Sequence, residues 1–356
     1  MTDEPEILVE KNGRAGVIVL NRPKALNALT RTMVHEMHRQ LIEWADDASI
    51  ELVIVRAAGE KAFCAGGDIR QLHDWGRAGD PAIRAFYHEE YRLNTYIKTY
   101  PKPYVALIDG IVMGGGVGVS IHGSRRIAGD RIMFAMPETG IGLFPDVGGT
   151  YFLPRLPGRT GTWLALTGAR LGQADAVWCG LATHAISSDR VDDLAQALGE
   201  DGGIDATIGR FSKPPAEDAP LASLQDVIER CFSAATVEEI LERLDAERGG
   251  HADWAAKQAA TIRTKSPTSL KIALRQMQEG AKADFEECMR IEYRIVNRVI
   301  TGHEFFEGVR AVIIDKDGEP KWAPASLPEV DEADVDAYFA PLPDELDLSA
   351  LDSVSS

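Results

Sequence analysis

The chain has 356 residues and a formal net charge of −17. That length allows one large domain or two unequal ones. The acidic balance excludes general nucleic-acid binding, which needs a basic face, but leaves room for an anionic small molecule at a local site of amides or cations.

No run of about 18 apolar residues marks a membrane span. The acidic start, MTDEPEILVEKNG, lacks the basic-then-apolar order of a secretory signal. Cys64, Cys179, Cys231 and Cys288 are scattered, without C-x-x-C spacing, and read as reduced buried thiols. A cytoplasmic protein is the expectation. In chain order, EILVE and AGVIVLN are β-branched runs around KNGR, the pattern of a hairpin. NRPKALNALT is a loop whose proline stops the strand. From Thr30 to about Asp46 the spacing of Met33, Val34, Met37, Leu41, Trp44 and Ala45 predicts a helix. IELVIVRAA is a buried strand, so strand, helix and strand form a crossover unit of a largely parallel sheet.

GEKAFCAGGDIRQL reads as a loop, and a helix carrying YHEEYRLN follows from Ile83 to about Thr99. PYVALIDG, RRIAGD, IMFAMPE and LATHAIS read as strands, and RTGTWLALTG as a helix ending at Gly168. Residues 1–200 are therefore expected as an α/β core. Residues 201–325 turn rich in Leu, Ala, Glu, Arg and Gln at helical spacing, with a helix start at Ser266-Pro267. Residues 326–356, repetitive in Pro, Asp and Glu, are expected as an acidic peripheral tail.

Two stretches invite chemistry. IVMGGGVGVS places three glycines between apolar runs. A strand leading into glycines and then a helix start leaves backbone N–H groups open to an anion or an oxyanion. The Rossmann spacing fails at Val119, Gly-Lys-Ser/Thr is absent, and Gly-x-Ser-x-Gly fails at His122. Tight packing of helix on sheet explains the glycines equally well. FCAGGDI, also after a strand, offers a second set of bare amides, and two such loops can place two donors on one oxygen. The other stretch is AMPETGIGLFPDVGG, with Glu138 and Asp146 among apolar neighbours. Such carboxyls are partly desolvated and exchange protons near neutrality, although turn-forming acids are the plainer alternative. Glu89 and Glu90 share a helix, and only one of two adjacent positions faces inward. HEMH spaces its histidines wrongly for the zinc motif.

Taken together and in order, VIVLNRPKALNALT, KAFCAGGDI, MGGGVG and FAMPETGIGLFPDVGGTYFLPRL resemble the crotonase (enoyl-CoA hydratase/isomerase) superfamily. EEYRLN, PETGIGLFPDVGG, SPTSLKIALRQ and HEFFEGVRAVIIDKD are most similar to its hydroxyacyl-CoA hydrolases. The resemblance implies an α/β fold, a spiral of ββα units with a helical C-terminal region, and an acyl-CoA substrate. By position it implies oxyanion-hole amides at Gly67 and Gly115, catalytic acids at Glu138 and Asp146, and a substrate contact at Glu90 rather than Glu89. Lys24, Ala25 and Leu26 match the segment that lies along CoA. Hydratases of the family carry a glutamate where this chain has Gly118, and glycine where it has Asp146. The resemblance therefore implies hydrolysis of a short 3-hydroxyacyl thioester, 3-hydroxyisobutyryl- or 3-hydroxypropionyl-CoA, over enoyl-CoA hydration or isomerisation. A non-catalytic acyl-CoA-binding protein is the reading from another class. The expected hydrolysis requires no metal and no cofactor beyond the substrate's CoA, the charge and hydropathy predict no nucleic-acid or membrane partner, and the resemblance implies a possible homo-oligomer.

Overall fold

Alternate residues of the first strands face different cores, and this period of two sets the layers. The computed structural model describes residues 4–200 and 202–353. Strands β1 (Ile7–Asn12) and β2 (Ala15–Leu20) form the expected antiparallel hairpin. Parallel strands β3 (Leu52–Ala57), β5 (Tyr104–Ile108), β7 (Arg125–Ala128) and β9 (His184–Ala185) extend it into a six-stranded sheet. Ile18, Leu20, Val53, Val55 and Ala106 point into the main core. Val17, Val19, Leu52, Ile54 and Val105 point the other way, beneath Leu194, Leu198 and Ile208 of two covering helices. Both faces are buried, which is why these strands read as continuous apolar runs.

The strands β4 (Ala62–Cys64), β6 (Ile111–Met113) and β8 (Met133–Ala135) make a separate three-stranded parallel sheet. Each turn of the spiral thus gives one strand to each sheet before its helices. Helix α1 (Arg31–Asp46) begins where Thr30 Oγ1 accepts the Met33 N–H at 3.1 Å, and it buries the predicted stripe apart from the half-buried Ala45. A helix absent from the sequence expectation, α2 (Ile69–Ala78), grows directly out of the loop after β4. Asp68 caps it, its carboxylate accepting from Gln71 N–H. Helix α3 (Ala82–Lys98) and the short α4 (Gly115–Ile121) follow β4 and β6 in turn.

The C-terminal part is helical, as expected, and it shares the main core rather than forming one of its own. Ser266 caps the Pro267–Gly280 helix, accepting from Ser269 N–H, and the Phe285–Val299 helix packs on α3. The acidic segment after residue 325 is tied down over its described length. Leu346 and Leu348 are buried, and the Arg92 guanidinium donates to the carbonyls of Asp347, Ala350 and Ser353. His38 Nε2 lies 2.9 Å from the Leu351 carbonyl oxygen. Buried leucines and backbone carbonyls paired with an inner arginine are invisible in a composition count dominated by Pro, Asp and Glu.

Candidate active site

The two glycine loops meet at one sheet edge. β4 leads to Ala65–Gly67 and β6 to Gly114–Gly115, and these strands are parallel neighbours. A methyl group placed on Gly115 would lie 3.3 Å from Gly67 N and 2.5 Å from Glu90 Oε1. Neither the Gly67 nor the Gly115 N–H donates to a backbone carbonyl among the described residues. Gly115 opens α4, where the first N–H groups have no partner within the helix.

Gly67, Gly115, Glu90, Glu138 and Asp146 all line one narrow cleft with a free volume of about 80 Å³. Ile69, Leu72, Phe86, Ile141 and Leu143 supply apolar walls. Five of the residues singled out in the sequence are thus brought together. Of the adjacent glutamates, Glu90 faces the cleft, whereas Glu89 turns to the Arg31 guanidinium in a bidentate ion pair. Lys24 and Ala25 are exposed and Leu26 half-buried, and none of the three lines the cleft. The segment is nonetheless stitched to the Gly67 loop: the Leu26 carbonyl accepts from Ala65 N–H at 3.0 Å and the Gly66 carbonyl from Leu29 N–H at 2.8 Å.

The carboxyls sit in a dry setting. Burial, reinforced by the neighbouring Asp146, holds Glu138 well above the ordinary carboxylate range. Burial and then Asp146 and Glu292 do the same to Glu90. Asp146 is pushed up to about 7 by burial, against the opposing effect of the Tyr91 hydroxyl, which donates to Oδ2 at 2.9 Å. Glu90 Oε1 and Glu138 Oε2 are buried without a hydrogen-bond partner among the described residues. Buried oxygens of this kind are uncommon in folded proteins and mark places where a ligand or water completes the bonding.

Sequence reasoning missed Glu292. It lies on the Phe285–Val299 helix, is fully buried, and accepts the N–H groups of Gly148 and Thr150, both at 2.8 Å. Gln276 donates to the Pro145 carbonyl at 3.2 Å, and His122 Nε2 lies 2.8 Å from the Val147 carbonyl oxygen. Three side chains thus clamp the turn that carries Asp146, where Val147 holds a left-handed φ of 51°. Burial, then Asp146, pushes Glu292 up to about 8. Lys265 was also missed. Its ammonium would stand 3.2 Å from a methyl on Gly140, close enough to Glu138 to oppose its upward shift.

Gly118 has a spatial explanation. A Cβ there would meet Asn94 Nδ2 and Val147 Cβ, both at 2.8 Å. The fully buried Asn94 occupies the space a longer side chain at 118 would need.

A family model described as enoyl-CoA hydratase/isomerase matches residues 15–339. A Danio rerio protein named 3-hydroxyisobutyryl-CoA hydrolase, mitochondrial, is 50% identical over 352 residues, covering 96% of this chain and 91% of its own. The Homo sapiens protein of that name is 47% identical, over 95% and 89% of the two chains. Among solved structures, a carnitinyl-CoA dehydratase from Mycobacterium thermoresistibile superposes with a TM-score of 0.93 at 42% identity, over 97% of this chain and 99% of that one. An enoyl-CoA hydratase from Rhodobacter sphaeroides gives 0.88, also at 42% identity, over 96% and 100%. The expectation of a cytoplasmic protein is corrected by the curated relatives, which are named as mitochondrial. Scattered reduced thiols and the lack of a secretory pattern separate secreted from internal proteins, not one internal compartment from another. With the spiral of two sheets, the paired glycine loops and these matches, the chain belongs to the enoyl-CoA hydratase/isomerase family and has the crotonase fold.

Proposed function

We propose that this chain hydrolyses the thioester of a short 3-hydroxyacyl-CoA, first of all 3-hydroxyisobutyryl-CoA, to the hydroxy acid and free CoA. One observation carries this: two backbone N–H groups that donate to no backbone carbonyl among the described residues share a single apolar cleft with three buried carboxyls of raised proton affinity. The names of the curated relatives support the same chemistry.

The thioester oxygen accepts from the Gly67 and Gly115 N–H groups, which stabilise the charge it gains; each such donor is worth ~3–4 kcal/mol of barrier. In its ionised form Glu138, whose Oε2 is unpaired among the described residues, takes the proton of an attacking water, its raised proton affinity making it the stronger base. Alternatively it adds to the carbonyl itself, giving an anhydride that water opens to the same products. Asp146, near half-protonation at neutrality, gives a proton to the leaving thiolate. Glu90 accepts a hydrogen bond from the 3-hydroxyl. Lys24 faces the CoA phosphates, with Ala25 and Leu26 along the nucleotide.

Two similar structures are named as a dehydratase and a hydratase, so water addition is the second reading. In that chemistry a glutamate at position 118 pairs with Glu138. Here Gly118 is walled in by Asn94 and Val147. The test offers 3-hydroxyisobutyryl-CoA and crotonyl-CoA in parallel, following free thiol in the first and loss of enoyl absorbance in the second. Thiol release is the expected result. Hydration of crotonyl-CoA with no thiol release would overturn the proposal.

A further inference from the structure

One face of α3 presents Tyr87, Glu90, Tyr91 and Asn94, the spacing of a single helical stripe. Tyr91 commits its hydroxyl to Asp146. Tyr87 does not: its hydroxyl is buried and has no hydrogen-bond partner among the described residues, although its side chain lines the cleft. The ring is fixed edge-on between Phe86 and Tyr91, with centroids 5.3 and 6.0 Å away. Burial, followed by the charges of Asp146, Glu90 and Glu138, raises its pKa well above the ordinary value. Tyr87 thus shares the cleft lining with Glu90, Glu138 and Asp146, and its hydroxyl stays protonated. One turn on, Glu90 Oε1 is likewise buried and unpartnered. An alcohol needs one donor for its oxygen and one acceptor for its proton. An unpaired donor and an unpaired acceptor on one helical face of one cleft supply that pair.

We infer that Tyr87 is a specificity-determining substrate contact, its O–H donating to the 3-hydroxyl oxygen of the acyl group while that hydroxyl donates to Glu90. This rests on the proposed hydrolysis of 3-hydroxyacyl thioesters and adds the protein donor that selects the hydroxyl. A 3-oxoacyl group accepts from Tyr87 but has no proton to give Glu90 Oε1, and an acyl group without a C3 oxygen leaves both unpaired. The order of preference is therefore hydroxy, then oxo, then unsubstituted.

The experiment measures kcat/KM by thiol release for 3-hydroxyisobutyryl-CoA and isobutyryl-CoA, in the wild type and in Tyr87→Phe. Phenylalanine keeps the ring and removes only the hydroxyl. The variant is expected to lose roughly ten- to a hundredfold on the hydroxylated substrate and to stay within about threefold on isobutyryl-CoA. Equal losses on both substrates, or no loss on either, would overturn the inference. A wild type that hydrolyses both equally well would overturn it while leaving the thioesterase intact. A wild type that hydrolyses neither would remove the proposed function itself. Calorimetric binding of the corresponding unreactive thioethers gives a second readout, independent of turnover. The hydroxylated thioether binds the wild type more tightly than the unsubstituted one, and Tyr87→Phe cuts that advantage by about tenfold or more while Glu90 keeps the rest; an advantage kept in full by the variant would count against Tyr87.

Discussion

Replacing Gly115 by alanine adds one methyl group, and the structure says where it goes. It would stand 2.5 Å from Glu90 Oε1, 3.0 Å from Leu29 Cδ1 and 3.3 Å from Gly67 N. Gly115 has no left-handed φ, so the backbone accepts alanine. Helix propensity favours alanine over glycine by up to ~1 kcal/mol, against ~1–3 kcal/mol for overpacking a filled site. Net stability therefore falls by no more than about 3 kcal/mol, and the variant folds. The cost falls on chemistry, because the methyl occupies the space between the two N–H donors where the thioester oxygen must sit. Loss of one such donor costs ~3–4 kcal/mol of barrier, and crowding both predicts a kcat roughly 10²–10⁴-fold lower. The assay is free-thiol release from 3-hydroxyisobutyryl-CoA, with the melting temperature as the control for folding. A folded Gly115→Ala enzyme keeping more than about a tenth of wild-type kcat would refute the oxyanion-hole assignment.

Three further outcomes follow from the same geometry. Gly118→Glu will not create hydratase activity, because its Cβ meets Asn94 and Val147 at 2.8 Å; it destabilises the fold by ~1–3 kcal/mol or more, and crotonyl-CoA hydration by a stable variant would contradict this. Glu292→Gln leaves one of two buried N–H groups facing an amide NH₂ instead of an acceptor. A loss of ~1–3 kcal/mol in urea unfolding follows, with kcat down about tenfold and KM within about threefold as the Asp146 turn loosens; wild-type kcat would reduce Glu292 to packing. Asp146 titrates near 3.8 in the unfolded chain and at about 7 in the fold. Folding therefore retains a proton that the unfolded chain releases, so this group's contribution is full below pH 4 and is lost as pH rises to 7. The wild type should lose up to ~1.4 kcal/mol per pH unit relative to Asp146→Asn across that window, and parallel stability curves would disprove the shift.

Local patterns carried most of the core. The KNGR hairpin, the α1 stripe, the Gly168 helix end and the Ser266 cap are each written in residues a few positions apart. The glycine loops were legible as amide donors, and the motif order linked them to Glu138 and Asp146. Helix α2 was lost because its cap, Asp68, directly follows CAGG, and the glycines extended the apparent loop into IRQL. Glu292 was illegible for a different reason. Its helix reads EECMRIEYRIVNRV, where acids look like a solvated face, and its partners lie 142 and 144 residues earlier. Tyr87 carries no sequence mark either, since a tyrosine at helical spacing reads as core. Its distinction is a hydroxyl with no partner, which only a packed structure exposes.

The most direct test of the cleft as a thioesterase site is thiol release from 3-hydroxyisobutyryl-CoA by the wild type and by Glu138→Gln, side by side at neutral pH. Free CoA from the wild type, with a rate roughly 10²–10⁴-fold lower in a folded Glu138→Gln variant, is the predicted result. No thiol from the wild type, or an undiminished rate in the variant, would contradict it.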